Sequence, residues 1–252
     1  GGGGEAAWFV RGLSGLVSGS STINLAADAI GFWVSSNTTT SVVVSVVAVT
    51  NNIGLSAGVD NGRDQASAFT SSIWIHFYFV LDGTTVKTRS STVAPPTGPT
   101  LQGTESAWAY AGAVRYNTVP ALVPVRIRGS KVFLDDPTND AVPLNGGAAT
   151  TETAVGLSTM IPPNAIACDL FTRAVHAEPN GDANALIRVV TGLNYVPIQM
   201  NRTISTTVER KDELVIPLPN VNQTLLYVWD AVVAGRSLTL VVLAYAIPNG
   251  GE

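Results

Sequence analysis

The chain has 252 residues, of which 46% are hydrophobic and only 13% are charged, about half the usual charged share. This composition excludes a disordered chain, which needs low hydrophobicity and high charge. The net charge of −4 argues against the clustered Lys and Arg of a nucleic-acid-binding surface, so we expect no nucleic-acid partner.

The first twenty residues differ in composition from the rest of the chain. Seven of them are glycine, which is typical of a flexible or extended segment, so we predict a Gly-rich N-terminal arm over residues 1–20. Trp8, Phe9 and Val10 are too apolar to remain in water on such an arm. We therefore expect these three side chains to contact another subunit.

Short runs rich in Val, Thr and Ile, broken by Gly, Pro, Asn and Ser, follow along most of the chain and predict strands. Both faces of residues 73–81 are apolar or aromatic, which predicts a central strand, and Asp82-Gly83 predicts a hairpin turn after it. The other predicted strands are residues 41–50, 84–92, 107–116, 123–128, 131–134, 155–160, 165–177, 185–190, 202–208, 213–218, 224–230 and 237–247.

This series of short strands predicts an all-β protein, an antiparallel β-sandwich of jelly-roll-like kind. Helix is expected in fewer than roughly 10% of residues, against about a third in an average globular protein. Residues 21–30 and 230–235 leave room for one short helical turn each. We assign residues 21–252 to the sandwich domain and place a candidate sub-boundary at residues 135–147, where the composition shifts to Asp, Asn, Pro and Gly.

Few residues are available for chemistry. The single cysteine, Cys168, excludes an internal disulfide and a cysteine-based zinc site. His76 is interpreted as a packed or interface histidine within a strand, and His176 as a surface partner of Glu178 on the same strand face. No G-x-S-x-G, H-E-x-x-H or Walker A pattern occurs, so we expect a non-enzymatic protein without a cofactor. The longest apolar run, residues 238–247, is about half of a spanning helix, so no membrane insertion is expected.

Two groups of residues are candidate sites. Asp135, Asp136, Asn139 and Asp140 offer the oxygen ligands that calcium prefers, but the segment lacks the glycine and glutamate of an EF-hand, and a solvated turn is the simpler interpretation. Exposed aromatic rings stack on sugars and anchor interfaces. The candidate contacts for a glycan or a subunit are therefore Trp108, Tyr110, Tyr116 and Asn117, whereas core packing is expected for Trp33, Trp74 and Trp229.

Residues 73–117 resemble a pattern found in bacteriophage tail-fibre and related virion appendage proteins. An aromatic strand (73–81), an Asp-Gly hairpin and a Ser/Thr-rich strand (88–92) are followed by Pro-Thr-Leu (99–101). An aromatic strand then ends in Gly-Ala-Val-Arg (112–115) and Asn117. The segment TLQGTESAW departs from the Pro-Ser-Gly-Tyr-like turn that is usual there. NGRDQASAF upstream and TLLYVWD and SLTLVVLAYAI near the end are similar in looser form.

The resemblance implies a virion protein, commonly a homotrimer, that binds other virion proteins rather than turning over a substrate. We therefore expect a tail-fibre or capsid-decoration subunit that self-assembles and contributes to host attachment. The alternative is a carbohydrate-binding module that recognises a host-surface glycan. A glycan depolymerase is disfavoured, because the chain lacks repeats. Low charge is independent support for subunit contacts: residues 35–59 carry no charged side chain.

Overall fold

The computed structural model describes residues 8–34, 43–136, 141–177, 183–189, 196–199, 208–218 and 223–248. Within these ranges the chain is all β, the strands pair in antiparallel fashion, and no helix occurs. The predicted antiparallel β-sandwich class is therefore confirmed. None of the described residues belongs to a helix that would cross a membrane.

The chain divides into two compact units. The first comprises Gly1–Asp135 with Ile247–Glu252, and the second comprises Asp136–Ala246. The division falls at the start of the segment 135–147, where the composition shifts.

The first sheet of the first unit is built around its longest strand. Its strands are β1 (Phe9–Arg11), β2 (Ser14–Gly19), β3 (Thr22–Gly31), β5 (Val43–Asn52), β9 (Val125–Arg128) and β10 (Lys131–Leu134). β1 and β2 follow each other along one side of β3, and β5 pairs with the other side. Beyond β2, the sheet continues to β9 and β10.

The second sheet of the first unit has four strands in the order β4-β8-β6-β7. These are β4 (Trp33–Val34), β6 (Ile73–Asp82), β7 (Thr85–Ser91) and β8 (Glu105–Tyr116). β6 is central and is buried on both faces, as its sequence predicts. The hairpin from β6 to β7 turns at Gly83, whose φ is +61°, and Asp82 pairs with Thr85, so the turn lies one residue later than predicted.

The two sheets of the first unit pack face to face around an apolar core. Ile23 and Leu25 of β3 and Phe77 and Phe79 of β6 are almost completely buried. β8 and β9 approach so closely that a Cβ on Gly112 would lie 3.2 Å from the Cδ1 of Ile127. The first unit is therefore a β-sandwich in its own right.

The second unit also contains two sheets. The first places β13 (Ala167–His176) between β16 (Val208–Pro217) and β18 (Ser237–Ala246), and β11 (Leu144–Gly147) pairs with β18. The second has the order β12 (Thr153–Gly156), β17 (Thr224–Trp229), β14 (Asn184–Arg188) and β15 (Val196–Gln199). The buried ring of Trp229 joins the two sheets, because its Nε1–H donates to the Gly147 carbonyl at 3.1 Å.

The structure corrects several local predictions. The helical turn considered within residues 21–30 is wrong, because burial of every second residue of β3 is the pattern of a strand with one face on the core. Residues 230–235 form bends and turns. The strand predicted over residues 155–160 ends at Gly156, because the N–H groups of Met160 and Ile161 turn back to the carbonyl of Leu157. The strand predicted over residues 202–208 lies outside the described residues except for Val208.

Candidate interaction surface

The two leading aromatic candidates lie in the core of the first unit. Trp108 is 4% exposed and Tyr110 is 1% exposed. Trp8 packs against both rings, with centroids 6.3 and 5.8 Å away, and Tyr78 also contacts both, at 5.3 and 5.2 Å. Stacking on a sugar needs an exposed ring face. The interpretation of Trp108 and Tyr110 as glycan or subunit contacts is therefore wrong.

Tyr116 and Asn117 are half-buried at the end of β8. Tyr116 forms an isolated bridge with Leu122, and the N–H of Asn117 donates to the carbonyl of Ala121 at 3.0 Å. Tyr116 lies about 26 Å along the strand from Trp108, at the usual rise of a β-strand. The structure thus does not bring the four candidate residues together in one site.

The predicted N-terminal arm is part of the sandwich from residue 8 onward. Residues 8–19 form β1, β2 and their connection, and residues 1–7 lie outside the described part of the chain. Trp8 is 7% exposed, Val10 is 3% exposed, and Phe9 is half-buried. The prediction that Trp8 and Val10 contact another subunit is wrong, because both side chains are already buried within their own unit.

His76 is packed in the core, which is one of the two positions expected from the sequence. It is 3% exposed, and its Nδ1 lies 3.0 Å from the hydroxyl oxygen of Tyr110. Burial lowers the pKa of His76 to about 4, because the charged imidazolium is poorly solvated there. The ring is therefore neutral at neutral pH and holds two strands of one sheet together.

His176 does not lie on the surface as interpreted. It is 1% exposed at the end of β13, and neither ring nitrogen has a hydrogen-bond partner in the described part of the chain. Glu178, its predicted partner, lies outside the described residues. The position of His176 is that of a core histidine.

The acidic segment does not form a metal site in its described part. Asp135 accepts a hydrogen bond from the Nε of Arg126 at 2.6 Å, so its charge is already paired, and Asp136 is exposed. Asn139 and Asp140 lie outside the described residues. In the ranges that the structure describes, no group of three or more His, Cys, Asp or Glu is arranged to hold a metal ion.

A buried ion pair joins β7 to the start of β8. The Nε and Nη2 of Arg89 donate to Oε1 of Glu105 at 2.8 and 2.6 Å, and the backbone N–H of Gln102 donates to Oε2 at 2.8 Å. Nearby, the carboxylate of Asp64 accepts the N–H of Thr100 at 3.0 Å. These contacts fix the connection between β7 and β8. Sequence reasoning misses them, because nothing in either polar segment indicates that its charges are buried.

A shallow groove of about 470 Å³ crosses the outer face of the first sheet. Its floor is formed by the small residues Ser14, Ala26 and Ala48, which pair in that order across three strands. Arg126 and Arg128 line the end on β9. The other end opens at β5, so the groove leads to the edge of the sheet.

β5 forms an edge of the first sheet. In the described part of the chain it pairs only with β3, from Val43 to Asn52 with the exception of Val46. It is rich in Val and, like all of residues 35–59, has no charged side chain. An edge strand presents unpaired backbone groups that are a template for pairing with another chain.

The direction of two hydrogen bonds shows which backbone groups of β5 are open. The N–H of Ile53 donates toward the β3 side at 2.9 Å, whereas the N–H of Asn52 donates away from it, to the carbonyl of Asn61 at 2.8 Å. Since backbone groups alternate along a strand, those of Ala48 and Thr50 also point away from β3. Among the described residues they have no backbone partner. Both side chains are exposed, so this part of the edge is open to another strand.

The edge strand β16 of the second unit has a different character. It is as long as β5, but five consecutive residues, 209–213, are charged. Glu209 pairs with Arg173 at 2.7 Å and with Lys211 at 3.1 Å. Charged side chains on an edge strand prevent edge-to-edge pairing with other molecules. β16 is protected in this way, and β5 is not.

No protein-family model matches the sequence, and no curated protein matches it significantly.

Proposed function

We propose that the protein is a non-enzymatic structural subunit of a bacteriophage particle, a tail-fibre or capsid-decoration protein that assembles with copies of itself. The observation that carries self-assembly is the open, uncharged edge of β5. A strand of ten residues with no charged side chain is an association hazard in a protein that works as a monomer. In contrast to β5, the edge strand β16 of the same chain carries five consecutive charged side chains. The assignment to a virion, and to contacts with other virion proteins, follows from the resemblance of residues 73–117.

Carbohydrate recognition is a weaker proposal. Its two leading residues, Trp108 and Tyr110, have no ring face available for a sugar. The depolymerase hypothesis needs a pair of acids near a bound glycan, whereas Asp135 is paired with Arg126 and Glu105 is buried against Arg89. Self-assembly requires only the backbone edge that the structure presents.

Sedimentation velocity tests self-assembly. We expect the wild-type protein to sediment at micromolar concentration as a species larger than the 26.2 kDa chain. The double variant Ala48→Lys/Thr50→Lys places two charges on the open edge and is expected to sediment as the single chain. Val215→Lys, on the exposed face of β16, is the matched control and should leave the wild-type mass unchanged. A wild-type protein of 26.2 kDa throughout would overturn the proposal.

The virion assignment needs a separate test. An antibody against this chain is expected to label purified particles of the virus that encodes it, in immunogold electron microscopy. Particles that contain the gene but show no label, and no peptide of the chain by mass spectrometry, would contradict the assignment while leaving self-assembly intact.

A further inference from the structure

We infer that the strand that pairs with β5 is β5 of a second copy, in antiparallel orientation about a two-fold axis at Val49. This inference rests on the proposed self-assembly and deepens it, since it names the surface, the partner and the register.

The other edge strands are closed, short or charged. β7 is covered by its own chain, because the N–H of Ser90 donates to Gly62 at 3.1 Å and the N–H of Asp64 donates to Ser90 at 2.9 Å. β4 has two residues, β1 has three, and β11, β12 and β15 have four each. β16 carries the charged run. Among the described strands, β5 alone is a long, open and uncharged edge, so the matching edge on a second copy is β5 itself.

The open groups fix the register. On one side of Ala48 and Thr50, the N–H of Asn52 is already bound to Asn61. On the other side, Val46 has a φ of +51°, which interrupts the regular strand. The antiparallel register that uses both open residues places Ala48 opposite Thr50 of the second copy, and Thr50 opposite Ala48. Residues that face each other in this way exchange both backbone hydrogen bonds, so the two pairs form four.

This arrangement has a consequence for copy number. A contact between identical strands is isologous and joins copies in pairs, whereas a three-fold ring needs two different complementary surfaces. The pairing through β5 therefore gives an even number of copies and differs from the homotrimer that the resemblance implies. The pairing also joins the groove on the first sheet of one copy, at its open end on β5, to the same groove of the second copy.

Disulfide trapping tests the register. The natural thiol is a suitable background, because Cys168 is fully buried and burial raises its pKa to about 12. The variants Ala48→Cys and Thr50→Cys place an exposed thiol on each side of the axis. Across the proposed pair, their Cα atoms lie about 5.5 Å apart, within disulfide range. In two copies of the same variant, the Cα atoms of the two cysteines are also offset by two residues along the strand, so they lie about 9 Å apart, which is beyond that range.

An equimolar mixture of the two variants, exchanged under reducing conditions and then mildly oxidised, is expected to give at least tenfold more covalent dimer than either variant alone. Val215→Cys should give none. Ala48→Pro removes an open N–H without removing a hydrogen bond to β3 and is expected to abolish association. If the wild-type protein is an oligomer but the mixture gives no more dimer than the single variants, the pairing is wrong and self-assembly stands. A monomeric wild type overturns both.

Discussion

Val46 has the most exposed large hydrophobic side chain described, at 82%, and a backbone conformation that suits it poorly. Its φ of +51° brings the branched Cβ close to the following carbonyl, which costs about 1–2 kcal/mol for a residue other than glycine or asparagine. The pairing of Val47 with Ala27 and of Ser45 with Ala29 keeps the register on both sides. The strain is therefore confined to one residue of the edge.

Replacement of Val46 by asparagine is expected to stabilise the first unit. Asn tolerates the left-handed region, so the free energy of unfolding should rise by up to about 1 kcal/mol in urea titrations. Val44→Asn is the control, because it removes the same side chain at a position without positive φ and should not stabilise. A lower free energy of unfolding for Val46→Asn would contradict the described backbone.

Because His76 is buried in its neutral form, we expect the free energy of unfolding to fall in acid. Its pKa is about 4 in the folded protein and about 6.5 when unfolded, so its contribution is complete above pH 6.5 and declines as the pH falls toward 4. Between pH 7.5 and pH 5 the loss is about 2 kcal/mol. Urea titrations of wild type and His76→Gln measure it, since the variant lacks this titration. Equal pH dependence of the two proteins would show that His76 is not buried as described.

We expect that the thiol of Cys168 does not react in the native state. Burial in a strand and the neighbouring charge of Asp169 raise its pKa to about 12, so the reactive thiolate is scarce at neutral pH. Titration with Ellman's reagent should detect no thiol in buffer and one per chain in denaturant. Rapid reaction in buffer would contradict its burial in the second unit.

At the scale of the elements, the ion pair of Arg89 and Glu105 holds the connection between β7 and β8. Glu105→Gln leaves the buried guanidinium without its counter-charge, and we expect a loss of about 3–5 kcal/mol in the free energy of unfolding. Glu209→Gln breaks an exposed pair with Arg173 that solvent screens, and its effect on the free energy of unfolding should be much smaller. Equal effects in thermal or urea unfolding would show that the pair is not buried.

The strands also show which elements can be predicted from the sequence and which cannot. β10 matches its predicted bounds and β6 differs by one residue, because apolar alternation marks a buried strand directly. β1 and β2 look like a flexible arm because of their glycines, yet a Cβ on Gly15 would lie 3.0 Å from Leu25 and Ile127. Glycine serves close packing there, and composition does not distinguish packing from flexibility.

The burial of the candidate contacts Trp108 and Tyr110 could not be predicted from the sequence, for a related reason. The aromatic pattern of β8 is the same whether a ring packs in the core or faces a ligand, and only the fold buries Trp108 and Tyr110. The uncharged stretch of residues 35–59 is visible in the sequence. That β5 lies at an edge depends on the pairing of strands distant in the chain, which sequence pattern does not give.

At the scale of the whole molecule, the low charge of the chain agrees with an open strand edge that a partner covers. The chain has 32 charged residues, and much of the described share is committed to pairs such as those on β16. A protein with so little charge stays soluble by covering uncharged surface with a partner or by presenting Thr, Ser and Asn. The proposed pairing covers the uncharged edge by extending the sheet.

Amide hydrogen exchange tests pairing through β5 most directly, because it reports on individual backbone groups. The N–H groups of Val47 and Val49 point to β3 and should exchange slowly at every protein concentration. Those of Ala48 and Thr50 should exchange rapidly in dilute protein and slowly at concentrations at which the protein is assembled. Rapid exchange of Ala48 and Thr50 in the assembled protein would contradict the account.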